Sequence, residues 1–219
     1  MTGESEAQSS RSYHSPRRLA AARATRARIR EAARERFLAD GFAGTSVRSI
    51  AAAAGVAEKT VYLQFPTKLD LLKEVVETAI VGDDEAVAAA DREWFRQIVD
   101  DPDPSAKVRR LVEATSALHE RTGEVFAMAR GAAASDPDAA TLWGFGKAGH
   151  RADMGLLATS FAKAGMLPTG RDAAWATAVL YVLIGPETWH LLRVELQYAP
   201  EEYRQWLRTA LADSFHVVG

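Results

Sequence analysis

The chain has 219 residues, 47% of them apolar, which suffices for a small domain joined to a larger body. It contains no cysteine, so disulfides, thiolate nucleophiles and cysteine metal sites are excluded. The net charge of −2 hides an uneven split: 12 Lys or Arg face four acidic residues between Arg11 and Lys68, a net +8, whereas the rest has 15 against 25, a net −10.

That asymmetry points to a polyanion partner for the N-terminal part and not for the remainder. No apolar run approaches the ~20 residues of a membrane span, and the first residues lack the apolar core of a signal peptide. A soluble, cytoplasmic protein without a membrane partner is expected. Residues 1–15, rich in Ser, Glu and Gln, read as a disordered tail. Arg11, Arg17 and Arg18 could form a minor-groove arm, although a solubilising tail is the preferred reading.

Pro16, following Ser15, starts a helix that runs to Asp40 and ends at Gly41. Ile29, Ala32, Ala33 and Phe37 form its apolar stripe, and arginines at 23, 26, 28, 30, 34 and 36 cover much of the rest. Thr45 and Ser46 are natural N-caps whose hydroxyls or amides can also meet a phosphate. In the following VRSIAAAAGVAEKTVYLQF, Val47, Ile50, Ala51 and Ala54 fall at i, i+3, i+4 and i+7, which buries one face of a short helix and leaves Arg48 outside. Gly55 supplies a turn with positive φ. Val56 and Val61 then pack back, which puts Glu58, Lys59, Thr60, Leu63 and Gln64 on or near an outward face. This is the pattern of a helix-turn-helix. Pro66 breaks the second helix and Thr67 caps another, whose first turn holds Lys68 at the dipole end that disfavours a cation; a nearby phosphate would remove the conflict. Leu72, Val75, Val76 and Ala79 continue a stripe to about Val81.

The ungapped run from Ile29 to Val76, with Phe37, Gly41-Phe42, Thr45-Ser46-Val47, Ile50-Ala51, Ala54-Gly55-Val56, Thr60-Val61-Tyr62, Phe65 and Lys68, resembles the DNA-binding domain of the TetR family of bacterial transcriptional regulators. The resemblance implies that Thr60, Tyr62, Lys68 and the Thr45-Ser46 cap contact phosphates or set docking, while Glu58, Lys59, Leu63 and Gln64 choose the operator. It further implies a homodimer on a duplex operator and a small-molecule effector held in the C-terminal body.

The boundary between a DNA-binding domain over residues 16–81 and a body over 82–219 is placed near Val81, with 82–91 as a loop or frayed end. In the body the pattern stays helical: Arg92 to Val99, Ser105 to about Arg121, Glu124 to Ala134, Asp136-Pro137 towards Gly165, Arg171 to about Gln197 with a kink at Pro186, and Pro200 to about His216. The fold class is therefore all-α, and the resemblance implies a three-helix helix-turn-helix domain followed by a helical ligand-binding and dimerisation domain. The closing helices carry two wide stripes, which the resemblance implies pair two copies. They comprise Trp175, Val179, Val182 and Trp189 on one helix and Tyr203, Trp206, Leu207, Ala210 and Leu211 on the other. An apolar pocket is expected among His119, Phe126, Trp143, Phe145, His150, Met154, Trp175 and Tyr181, the histidines and tyrosine acting as polar anchors.

Enzyme chemistry has no positive sign. Gly144-Phe145-Gly146-Lys147-Ala148-Gly149 spells G-x-G-x-x-G but has no strand before it and no βαβ frame. The five histidines lack metal-ligand spacing, and no nucleophile elbow is present. No cofactor and no metal are expected.

Overall fold

A computed structural model of the chain describes residues 16–81 and 92–217. The tail over 1–15 and the connection over 82–91 lie outside these residues. Every described element is helical. Helices α1 (Pro16–Gly44), α2 (Val47–Ala54), α3 (Glu58–Gln64) and α4 (Lys68–Val81) form the N-terminal unit. Gly41, at φ 71° and ψ 166°, interrupts α1 where the sequence places its end; only glycine adopts this conformation cheaply. Ile29, Ala33, Phe37, Ile50, Val61, Phe65, Leu71 and Val75 make a dry core under α2 and α3. Val125, Ala132 and Ala139 from the body complete that core, so the two units share apolar packing.

The body consists of α5 (Glu93–Asp100), α6 (Pro104–Ser135), α7 (Pro137–Lys163), α8 (Ala173–Leu183), α9 (Pro186–His190) and α10 (Pro200–Ser214). Its core runs from Phe95 and Ile98 through Leu111, Leu157, Phe161 and Leu180 to Tyr203, Leu207 and Phe215. Two sequence expectations need correction. The segments read as separate helices on either side of Thr122-Gly123 form one helix of 32 residues, because Gly123 is buried under the Trp189 indole and not at a turn. Conversely, the helix expected from Arg171 to Gln197 is broken: Gly185 and Pro186 separate α8 from α9, and Leu191–Glu195 continues as a π-helical turn closed by the Leu196 amide donating to the Leu191 carbonyl (2.9 Å). No helix among the described residues is long and apolar enough to cross a membrane.

Two cationic side chains fasten the frame at helix ends. The Arg121 Nε and Nη2 donate to the carbonyls of Ala79 and Ile80 (both 3.1 Å), so α6 holds the C-terminal end of α4. Lys107 is fully buried and donates to the carbonyls of Ile98 and Val99 (2.8 Å each) and to Ser160 Oγ (2.6 Å). A cation suits the carbonyl end of α5, where the dipole is negative. Burial lowers its pKa against the opposing pull of Asp101 and Asp100.

Candidate nucleic-acid interface and effector pocket

Local chemistry builds α2 and α3. Ser46 caps α2 by accepting from the Ser49 amide (3.1 Å), and Gly55 closes it in the left-handed conformation at φ 64° and ψ 39°. The Val56 amide donates to the Ala51 carbonyl (3.0 Å), which turns the chain directly into α3. Only Val61 of α3 is buried, and its side chain anchors the helix to the core below. Glu58, Lys59, Tyr62 and Leu63 are exposed, and Thr60 and Gln64 are half-buried. Leu63 is 74% exposed, an apolar side chain placed outward on a short polar helix. Arg48 stands beside this face, 4.0 Å from the Glu58 carboxylate.

Two residues expected at phosphates have other work. Thr45 is buried, and its hydroxyl donates to the carbonyls of Gly41 (2.7 Å) and Arg36 (3.0 Å), which fixes the α1–α2 loop. Its side chain therefore cannot reach a phosphate, and Ser46 alone caps α2. Lys68 Nζ donates to the carbonyls of Phe42 (2.8 Å) and Thr45 (3.1 Å) and lies 4.2 Å from the Phe42 ring centre. Backbone carbonyls and an aromatic face thus answer the charge conflict at the start of α4. Thr67 does cap α4, in a reciprocal pair with Asp70.

The sequence reading missed Arg26. Its guanidinium grips Glu74 through Nε (2.9 Å) and Nη2 (2.7 Å), donates from Nη1 to the Gln64 carbonyl (2.9 Å), and lies 4.1 Å over the Phe65 ring. One side chain therefore joins α1, the end of α3 and α4. Nothing local announces this role, since Arg26 and Glu74 are 48 residues apart.

Five of the expected pocket residues come together in the body. Trp143 packs edge-on against Phe126 (6.2 Å between ring centres), Phe126 against His119 (6.5 Å), and His150 lies 5.1 Å from Tyr181. Three do not join them: Phe145 points to solvent, Met154 is ordinary core, and Trp175 packs on Phe215 at 5.7 Å. Lys147, Glu187 and Trp189 complete the group. Lys147 Nζ donates to Glu187 Oε1 (2.6 Å) and lies over the Tyr181 ring, and Trp189 is 6.2 Å from His119. Lys147 could have been anticipated, because it precedes His150 by three residues and so shares its helix face.

Burial, reinforced by the charge of His150, lowers the His119 pKa to about 3; its Nδ1 meets the Tyr203 hydroxyl at 3.3 Å. Burial and then Lys147 lower that of His150. Burial opposes the charged forms of Lys147 and Glu187, but their mutual hydrogen bond outweighs it, holding the ammonium above and the carboxyl below their usual ranges. The result is two neutral imidazoles beside a closed ion pair. Between Phe126, Trp143, Pro186 and Glu187 lies only a slot of about 10 Å³.

The expected pairing stripes divide in two. Trp189, Tyr203, Leu207 and Leu211 are buried within this chain, so they cannot meet a second copy. Val182 is 60% exposed, while Trp175, Val179, Trp206 and Ala210 are half-buried and remain reachable. The glycines of G-x-G-x-x-G lie inside continuous α7, without the strand that a dinucleotide turn requires.

A sequence profile for bacterial regulatory proteins of the tetR family matches residues 29–75. Comparison with curated protein sequences gives no match. Among solved structures, the chain is similar to NalD of Pseudomonas aeruginosa, the secondary repressor of the MexAB-OprM multidrug efflux pump, at 22% identity and a TM-score of 0.68, covering 90% of this chain and 98% of that one. It is also similar to a candidate transcriptional regulator from Saccharomonospora viridis in complex with choline (19%, 0.66, 88% and 98%). A third is a TetR transcription regulator from Haloarcula marismortui (16%, 0.63, 89% and 100%). At these identities the likeness concerns the fold.

Proposed function

We propose that this chain, whose residues 29–75 match the tetR family of bacterial regulatory proteins, is a member of that family: a cytoplasmic, homodimeric repressor that binds a pseudo-palindromic duplex operator and is released by a small-molecule effector. The observation that carries the reading is α3: one buried valine and the Arg26 clasp hold it, and Glu58, Lys59, Tyr62 and Leu63 face outward. In a major groove Lys59 suits guanine, Gln64 adenine and Leu63 a thymine methyl, while Arg48, Ser46 and Tyr62 lie where a phosphate backbone would flank the helix. Lys68 and Thr45 act one step back, holding the loop from which α2 starts.

One α3 reads too few bases for useful specificity, so two copies are needed, with centres roughly 34–36 Å apart or a multiple of it. The outward faces of α8 and α10, with Val182, Val179, Trp175 and Trp206, support that pairing. The body as an effector domain is supported by its aromatic and imidazole group and by a relative of the same fold solved with choline. The division at about residue 81 follows from this assignment of roles. Selection from a random duplex pool tests the reading. A two-fold symmetric site bound with steep salt dependence is expected; recovery of no symmetric site overturns it.

A further inference from the structure

Among the described residues, a space large enough for an effector lies beside Trp189, away from His150 and Tyr181. It is a cleft of about 740 Å³ between the end of α1 and helices α6 and α9, within the usual 300–1,000 Å³ range of small-molecule sites. Phe37 and Phe42 form one wall, Met128 and Trp189 the other. Asp40 and Glu124 bring carboxylates to it, and no Lys or Arg is among its lining residues. Asp40 lies 3.9 Å from Arg36, a loose exposed pair, and Glu124 is exposed. His190, also in the lining, sits 3.8 Å from Glu195, a further carboxylate near the cleft. Trp189 is 8% exposed, and its indole N–H has no partner. An anion would meet two carboxylates, of which only Asp40 has a cation beside it, the loosely placed Arg36, whereas a cation with an apolar body would meet both carboxylates and the π face of the Trp189 indole.

We propose that this cleft is a binding site for a lipophilic organic monocation, and that its occupant touches the DNA-binding unit directly. The wall formed by Phe42, Ala43 and Gly44 is the last turn of α1 after the Gly41 kink, which Lys68 grips at the carbonyls of Phe42 and Thr45, so an occupant presses on the segment that positions α2 and the start of α4. The binding stands on the cleft alone; its effect on DNA rests on the regulator reading.

Tetraphenylphosphonium and tetraphenylborate share one shape and carry opposite charge, which makes them suitable probes. Titration calorimetry on the full chain should show the phosphonium binding about 10-fold more tightly than the borate. Glu124→Gln should narrow that gap. A Cβ at Gly131, another lining residue, meets nothing within 4 Å, so Gly131→Trp should fold, fill the cleft and abolish phosphonium binding, with folding checked by its melting temperature. Borate binding as tight as phosphonium, no binding of either ion, or phosphonium binding that survives Gly131→Trp overturns the proposal. A separate duplex-binding measurement isolates the other reading: if phosphonium binding is lost with Gly131→Trp but no duplex is ever bound, the site stands and the regulator falls.

Discussion

The N-terminal unit and the body handle polar groups in opposite ways. Around α2 and α3 the buried side chains are apolar except Thr45, and the cations Arg26 and Lys68 reach from half-buried positions to backbone carbonyls. The body instead buries Lys107, Thr115, Ser116, His119, Thr122 and Ser160, and leaves Ser116 Oγ, His150 Nε2 and Trp189 Nε1 without a partner. An unpartnered buried polar atom costs about 1–3 kcal/mol. The first unit therefore holds one face in one place, while the second retains hydrogen-bonding capacity that its closed packing does not use.

The largest effect at neutral pH that could break this contrast is expected at Gly123. A Cβ there would lie 2.0 Å from the Trp189 ring, so Gly123→Ala must turn the indole and should cost about 3 kcal/mol. Thermal melting followed by tryptophan fluorescence reads it; an unchanged melt would show that the body is as forgiving there as on a surface. The next effect is in pH. The His119 imidazole takes a proton near 6.5 when unfolded and near 3 when folded, so its contribution is complete above about pH 6.5 and is lost as pH falls towards 3. The loss is up to about 1.4 kcal/mol per pH unit. In denaturant titrations His119→Phe should be less pH-sensitive than the parent across that window, and equal slopes would remove His119 from the account.

Lys68→Met is smaller, about 1–2 kcal/mol of stability, since it leaves two carbonyls unmatched. Duplex affinity should fall with it for all sequences, because the loop before α2 loosens. The smallest effect on folding is expected from Leu63→Ala, within about 0.5 kcal/mol, although preference at one base pair per half-site should change by about 1 kcal/mol. Loss of stability in Leu63→Ala would mean that α3 is less separate from its frame than its exposure indicates.

Local signals in the sequence were legible. Ser46, Gly55 and Thr67 act through neighbours within a few residues, and each occupies the cap or turn expected of it. The apolar period placed the core side of α1 and α2 for the same reason. Residues whose partners are remote in sequence were misread. Arg26 looked like one more surface cation and Lys68 like a phosphate ligand, because no pattern shows which carbonyls a side chain will meet across 20 to 50 residues. Gly123 resembled a helix end until the Trp189 ring, 66 residues later, was seen to occupy the space a side chain would need. The aromatic inventory of the body located the polar group around His119 and His150 but not the open cleft, which is formed by two units meeting.

The single buried contact of α3 also bears on how such a protein can change. Val61 and the Gln64 carbonyl tie the helix to its frame, and neither fixes which side chains stand at 58, 59, 62 and 63. Substitutions there can drift one at a time with little loss of fold, so a duplicated copy of this gene can change the chemistry of the α3 face while the body stays as it is.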